Sequence, residues 1–350
     1  MDRRQLLRFV PPFLIASSAP SLWSPALAAK VKFLAALLVP KSGPHAALGR
    51  SMERAALLAQ GTSDPKALMV FDTGGNPAGA AAAARAARKT GASVILGPVL
   101  ASEVAPALAA AGPGAPVLAF SNDAQLLDRG AFLLGLTATQ VVGSIMAYAA
   151  RRGIRRFAIG SDPGTWGEQV QAAALKAATA LGVHAYALPV GRVSTLTQSD
   201  DGSGDGLPDA VLMSSTGGLL AIAPAAAAMG VQMLGAMPTL DLSGDELARL
   251  DGTWLAAPDP ARFATFARAF EERNGTRPGL IAGLAYDAVR IVQQLRLAGG
   301  ADRSGLLVPD GFKAVCGDVR FRDDGSAARA LAILAVTTGG LRTIAPQAFG

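Results

Sequence analysis

Short apolar runs alternate with longer helical stretches along most of the chain after residue 30. The first run, residues 31–39, is continuous and ends at Pro40, which is typical of a buried parallel strand. Similar runs follow at regular intervals, and each ends in a polar or glycine-rich loop. They predict strands at residues 67–71, 93–96, 116–120, 156–160, 183–188, 210–213, 232–235 and 254–257.

The stretches between these strands have helical periodicity or are rich in alanine. Pro77 opens one such helix in its first turn, with Asn76 placed to cap it. An earlier predicted helix ends near residue 60. The remaining predicted helices cover residues 102–111, 139–152, 168–181, 219–229, 260–274 and 280–297. Regular alternation of strand and helix predicts a doubly wound parallel sheet. Because the alternation restarts near residues 134–137, we expect two α/β lobes.

The chain ends differently, in a predicted antiparallel hairpin. Residues 319–321 and 331–336 form its strands, and residues 322–325 supply a turn of the Arg-Asp-Asp-Gly type. The segment 191–209 is rich in serine, aspartate and glycine and predicts a flexible surface loop near residues 199–206.

The first 28 residues predict an export signal that is cleaved. Arg3, Arg4 and Arg8 precede an apolar stretch, and the segment 26–28 has the small-x-small pattern of a cleavage site. The paired arginines fit either a twin-arginine signal or an ordinary secretory signal. Both routes predict a periplasmic protein, and no cysteine follows the cleavage site to carry a lipid anchor.

Composition and charge exclude several classes of function. Hydrophobic residues make up 51% of the chain and charged residues 17%, which suits packed cores. The net charge of +6 is spread thinly, without the basic cluster that a nucleic-acid interface needs. His45 and His184 are the two histidines and lie far apart, and no nucleophile or nucleotide-binding motif is present. Cys316 is the only cysteine in the sequence and belongs to no metal-binding spacing. From these observations together we expect no metal site, no cofactor and no catalysis.

Several segments resemble the leucine/isoleucine/valine-binding type I periplasmic binding proteins. The resemblance rests on the strand and loop at residues 38–44, the Ala-Tyr-Asp-Ala-Val segment at 285–289, and the closing residues 319–325. A central block is similar to a subgroup named for penicillin-binding-protein activators. Its segments are Phe71-Asp72-Thr73, residues 91–98 and residues 117–122.

This resemblance implies two doubly wound parallel-sheet lobes that are joined by a hinge of three crossing strands. Residues 31–136 plus 256–330 would form lobe one, and residues 137–255 plus 331–345 would form lobe two. The protein would be a monomer that binds its ligand between the lobes. The loops of the amino-acid receptors that anchor a ligand are richer in serine and threonine, so the resemblance leaves the ligand open.

In open α/β sheets, ligands contact the loops at the carboxyl ends of the strands. Hydroxyl, amide and backbone N–H groups in these loops can fix a small polar ligand, and Trp166 can form an apolar wall. The same serine, asparagine and aspartate residues can instead cap the next helix. The predicted ligand-binding residues are Ser42, Gly43, Thr73, Gly97, Pro98, Val99, Ser121, Asn122, Asp123, Asp162, Trp166, Ser214, Ser215 and Asp241.

The sequence thus predicts a non-catalytic solute-binding protein that closes on a small polar, amino-acid-like ligand and presents it to an ABC-type permease of the inner membrane. The alternative is a penicillin-binding-protein activator-like module that regulates a cell-wall synthase. Neither function involves nucleic acid.

Overall fold

The computed structural model describes residues 34–61, 67–188, 206–237, 242–298, 300 and 302–349. The predicted signal peptide, residues 199–205 of the predicted surface loop at 199–206, and the predicted site residue Asp241 lie outside these ranges. Among the described helices, none combines the length and the apolar character that crossing a membrane requires.

The strands form two sheets. The first sheet contains β1 (Ala35–Val39), β2 (Leu68–Asp72), β3 (Val94–Leu96), β4 (Val117–Ala119) and β5 (Phe132–Leu133). The second contains β6 (Arg156–Gly160), β7 (His184–Ala187), β8 (Ala210–Met213), β9 (Gln232–Gly235), β10 (Trp254–Ala257), β11 (Val319–Phe321), β12 (Ala327–Thr337) and β13 (Gly340–Phe349).

Helices connect most of these strands. They are α1 (Ala46–Gln60), α2 (Pro77–Lys89), α3 (Ala101–Ala111), α4 (Ala138–Arg151), α5 (Thr165–Leu181), α6 (Thr216–Met229), α7 (Gly244–Arg249), α8 (Pro260–Asn274), α9 (Leu280–Ala298) and α10 (Arg303–Leu306). A 3-10 helix covers Ala124–Arg129.

Both sheets have the topology that the alternating pattern predicts. The first is all parallel in the order β2-β1-β3-β4-β5. The second begins with the parallel order β7-β6-β8-β9-β10. Strand β12 then runs antiparallel to β10, and β11 and β13 pair with β12.

Helices cover both faces of each sheet, which explains the continuous apolar strands. In β1, Leu37 packs with α1 and α9 on one face, whereas Leu38 packs with α2 and α3 on the other. In β8, Leu212 faces the side of α4 and α5, and Val211 faces the side of α6. Two doubly wound lobes are therefore present. The division of the lobes at residues 136/137, 255/256 and 330/331 stays a prediction.

The sequence predicts β6, β8, β9, β10 and α8 with the bounds that the structure has. The prediction for the end of the chain is partly wrong. The hairpin of β11 and β12 is present, yet β12 begins at Ala327 and not at residue 331. A further strand, β13, follows it and was not predicted. Because half-exposed residues and Pro346 interrupt its apolar pattern, β13 has no clear strand signal.

Candidate ligand-binding cleft

The first sheet brings three loops together at the carboxyl ends of its strands. Asp72, at the end of β2, accepts hydrogen bonds from the backbone amides of Lys41 (2.7 Å), Ser42 (3.2 Å) and Gly74 (2.8 Å). Partial burial would raise the pKa of Asp72, but these amides and the Ser42 hydroxyl favour the charged form and hold its pKa below the ordinary value. Asp72 therefore ties the β1–α1 loop to the β2–α2 loop.

Ser42 and Gly43 are exposed on this surface, whereas Thr73 is fully buried. The Thr73 hydroxyl accepts a hydrogen bond from the Gly75 amide at 3.3 Å, which helps to shape the turn before α2. Gly43 has a φ of 77°, and a Cβ there would lie 2.9 Å from the Gly74 carbonyl oxygen. The two loops are therefore packed against each other too closely for a larger residue at this position.

The loop that follows β3 is buried, which the prediction of ligand contacts did not anticipate. Gly97, Pro98 and Val99 are all buried. A Cβ on Gly97, whose φ is 100°, would lie 2.3 Å from the Leu38 carbonyl oxygen. The glycine thus permits close packing between strands β1 and β3.

Sequence reasoning missed Glu103, a buried carboxyl group in the first turn of α3. It is 0% exposed, and its Oε2 accepts a hydrogen bond from the Leu100 amide at 3.4 Å. Its Oε1 has no hydrogen-bond partner. Burial raises the pKa of Glu103, while a hydrogen bond from Thr73 and the nearby His45 act against this rise. Only the position of Glu103 three residues after a helix start hinted at a capping role.

The loop after β4 contains the predicted site residues Ser121, Asn122 and Asp123. Ser121 is buried, and its hydroxyl accepts a hydrogen bond from the Asp123 amide at 3.2 Å. The Asp123 carboxylate caps the 3-10 helix by accepting from the Gln125 amide at 3.1 Å. Asn122 is exposed and makes no hydrogen bond with any described residue. Asn122 therefore exposes its side-chain amide at this edge.

In the second lobe, Asp162, Trp166 and Ser214 form one hydrogen-bonded group. The Ser214 hydroxyl donates to Asp162 Oδ2 at 2.8 Å and accepts from the Asp162 amide at 2.8 Å. The Trp166 indole N–H donates to the Ser214 carbonyl oxygen at 3.1 Å. Ser215 caps α6 by accepting from the Gly218 amide at 3.0 Å. Ser215 and Asp123 therefore cap helices, which is the alternative role that the sequence offered for serine and aspartate residues in these loops.

Trp166 lies on helix α5 and not in the preceding loop, where the sequence prediction placed it. The helix begins at Thr165, directly after Gly164, whose φ is 115°. The side chain of Trp166 is half-buried and packs against the main hydrophobic core. If Trp166 forms an apolar wall of the ligand site, this wall belongs to the first turn of α5.

One hydrogen bond joins the two lobes at these strand ends. The Gln169 side-chain amide on α5 donates to Asp123 Oδ1 at 2.7 Å. Gln169 follows Trp166 by three residues and so lies on the same face of α5. We call this contact the Asp123–Gln169 bridge. It shows that the β4 loop of one lobe faces the start of α5 of the other, with the lobes in contact.

Within the described ranges, no three histidine, cysteine, aspartate or glutamate side chains are grouped as a metal site would require. The exposed polar groups on both sides of the bridge suit the binding of a small molecule.

Solved structures share this two-lobed architecture. A protein named for branched-chain amino acid ABC transport, from Rhodospirillum rubrum, is 21% identical and has a TM-score of 0.76; the match covers 89% of this chain and all (100%) of that one. The C-domain of LpoA from Haemophilus influenzae, a regulator of PBP1A, is 17% identical with a TM-score of 0.68, covering 89% and 99%.

A solute-binding protein from Rhodopseudomonas palustris BisB5, solved with 3,4-dihydroxybenzoic acid, is 20% identical with a TM-score of 0.62, covering 91% and 97% of the two chains. A sequence search of curated proteins finds no match. The family model described as periplasmic binding protein matches residues 35–340. The chain therefore belongs to the periplasmic binding protein family.

Proposed function

We propose that this protein is a periplasmic solute-binding protein that holds a small polar ligand between its lobes for an ABC-type permease. The observation that carries the proposal is the Asp123–Gln169 bridge at the carboxyl ends of the strands, where ligands bind in open α/β sheets. Lobes that touch at this edge can enclose a ligand, and a ligand that contacts both of them favours the closed state.

The ligand would use polar groups that the fold leaves exposed, although the Ser42 hydroxyl already hydrogen-bonds to Asp72 and Asp162 Oδ2 already accepts from Ser214. Asn122 and Ser42 are exposed on the first lobe, and Asp162 is exposed on the second. An amide, a hydroxyl and a carboxylate can together recognise a ligand that carries both donors and acceptors, such as an amino acid or a small amide. The structural similarity to a protein solved with 3,4-dihydroxybenzoic acid adds aromatic acids to the candidates.

Ligand-dependent thermal unfolding tests this function. A panel of amino acids, short peptides, small amides and aromatic acids should contain a compound that raises the Tm of the native chain. Asn122→Ala should weaken its binding at least tenfold. The neighbouring exposed residue provides the matched control Gln125→Ala, which should bind normally. A panel without any stabilising compound, together with no small molecule retained in native mass spectrometry of periplasmic protein, would refute the proposal.

The second candidate is a regulator of a cell-wall synthase. It is favoured by the hydrogen bonds that already occupy Asp72, Asp123, Ser214 and Ser215 within the protein. The structural similarity to the LpoA C-domain adds to it. Saturable binding of a purified penicillin-binding protein ectodomain, unaffected by Asn122→Ala, would support this function. Absence of binding would reject it.

A further inference from the structure

A cavity of about 410 Å³ adjoins the 3-10 helix that Asp123 caps and the predicted lobe boundary at residues 134–137. Its walls come from the 3-10 helix, β5, the first half of α4, Lys176 of α5, and the β11–β12 turn with the start of β12. Its volume falls in the range of about 300–1,000 Å³ that small-molecule sites have. We call it the hinge cavity. None of the predicted ligand-binding residues lines it.

The charged side chains of the hinge cavity are mostly cationic. Lys176, Arg322 and Arg329 line it, with Asp324 as the one acidic residue of its lining. The Asp324 carboxylate already accepts a hydrogen bond from the Ser326 amide at 2.8 Å, which belongs to the turn itself. The lining therefore carries a net positive charge, although Arg322 interacts with Asp324 and Arg329 interacts with the buried Asp287 behind the cavity wall.

Arg329 gives a second, independent sign of a missing acceptor. It is 2% exposed, and its Nη1 donates to the carbonyl oxygens of Cys316 and Gly317 at 3.0 and 3.1 Å. Its Nη2 donates to the Leu134 carbonyl oxygen. Its Nε, however, is buried without a hydrogen-bond partner. Buried donors are rarely left unpaired, so an oxygen bound in the cavity is a candidate partner.

Gly143 keeps one wall of the cavity open. It lies in the middle of α4, and a Cβ at this position would have no atom within 4 Å. Glycine is the poorest helix former after proline, and alanine fills comparable positions in the other helices of this chain. The lining nearby is apolar, with Leu127, Leu133 and Ala328. The cavity therefore combines cationic groups with an apolar floor.

We propose that the hinge cavity binds a small organic carboxylate with an apolar body. The carboxylate would pair with Lys176 and Arg322, and the apolar body would rest on Leu127 and Leu133. Because Lys176 comes from α5 beside the second sheet, whereas Leu127 and Leu133 come from the 3-10 helix and β5 of the first, the ligand would join elements of both lobes. It would therefore favour the arrangement of the lobes that this structure has.

Benzoate is a suitable probe, because it has one carboxylate and a compact apolar ring. Calorimetric titration of the full chain should detect a benzoate site that Asn122→Ala leaves intact, whereas benzamide, which lacks the charge, should bind to this site at least tenfold more weakly. Lys176→Met should weaken benzoate binding at least tenfold, and Lys176→Arg should restore most of it.

Gly143 supplies a matched pair of variants that leave every charged group in place. Gly143→Leu should fill the open space and abolish benzoate binding, whereas Gly143→Ala should bind nearly as the native chain does. Circular dichroism and the Tm without ligand confirm that both variants fold. A Gly143→Leu variant that fails to fold would be replaced as the test by Lys176→Met and Lys176→Arg.

The same titrations separate the hinge cavity from the strand-end cleft. Asn122→Ala should leave benzoate binding unchanged. Benzoate binding that survives Lys176→Met or Gly143→Leu but is lost in Asn122→Ala would overturn the proposal and place the ligand in the cleft. Equal binding of benzamide, or no binding of benzoate to the native chain, would overturn it as well.

Discussion

At the scale of single residues, two fully buried charges fix the same short loop. The Asp287 carboxylate accepts from the amides of Val315 (2.7 Å) and Cys316 (2.9 Å). Arg329 donates to the Cys316 carbonyl oxygen from the other side. The anionic Asp287 thus binds the backbone amide of Cys316, and the cationic Arg329 binds its carbonyl oxygen. The thiol of Cys316 is free and buried. Burial raises the pKa of its thiol well above the ordinary value.

The buried carboxyl group of Asp287 should make stability depend on pH in an unusual direction. Burial raises its pKa from 3.8 to about 6, against the effect of its hydrogen bonds and of Arg329. Between these two values the folded chain binds more protons than the unfolded chain, so this contribution to stability is lost as the pH rises. Relative to Asp287→Asn, the native chain should lose up to about 3 kcal/mol between pH 4 and pH 7.

Urea denaturation at several pH values measures this difference for the native chain and the variant. The exposed residue Asp310 provides the control Asp310→Asn, which should follow the native profile. A constant difference between the native chain and Asp287→Asn across this pH range would contradict the prediction.

At the scale of elements, the helix starts show how local sequence sets the fold. Pro77 occupies the first position of α2, and Asn76 accepts from the Gly79 amide at 2.9 Å, as the sequence predicted. The ends of strands can also be recognised from neighbouring residues, because Gly160 and Met213 are each followed directly by a polar loop. Hydrophobic period and capping chemistry lie within a few residues of each other, so they can be read without knowledge of the tertiary fold.

The cap of α2 should contribute measurably to stability. Asn76→Ala leaves the Gly79 amide without its acceptor and should lower the free energy of unfolding by about 1 kcal/mol. Asn76→Asp keeps the acceptor and adds a negative charge at the positive end of the helix. It loses the long hydrogen bonds from Nδ2 to the Thr73 and Gly74 carbonyl oxygens (3.4 and 3.3 Å), so it should be destabilised less than Asn76→Ala but not be neutral. Urea denaturation distinguishes them, and equal losses in both variants would contradict a capping role.

Contacts between distant segments could not be predicted in this way. The Asp123–Gln169 bridge joins residues that are 46 positions apart, and nothing in the sequence around Gln169 marks it as more than a helical residue. The hinge cavity depends on five elements, the 3-10 helix, β5, α4, α5 and the β11–β12 turn, that meet only in the folded protein. Asp123 was found because strand ends are recognisable, whereas its partner follows from the relative position of the lobes.

At the scale of the whole molecule, the Asp123–Gln169 bridge should influence how far the lobes open. Gln169→Glu would place a second carboxylate where the amide now lies 2.7 Å from Asp123. Both positions are half-buried. Repulsion between two such charges in contact amounts to about 1 to 4 kcal/mol, which is enough to shift a two-state equilibrium at least severalfold. The variant should therefore favour a wider separation of the lobes.

Electron–electron resonance between spin labels at the exposed positions Ala82 and Thr179 can measure this separation. The matched control is Gln171→Glu, which adds the same charge on α5 but contacts Ser161 of its own lobe. Gln169→Glu should lengthen the mean label distance, and Gln171→Glu should not. Identical distance distributions in the two variants would contradict a role for the bridge in closure.

Strand β12 has a consequence for the order in which the protein can assemble during synthesis. It pairs with β10, β11 and β13, yet residues 258–326 separate it from β10 along the chain. A nascent chain can form the parallel part of both sheets while β12 is still absent, leaving β10 as an open edge that invites mispairing. The second sheet is thus completed only after β12 has left the ribosome, about 70 residues later than β10.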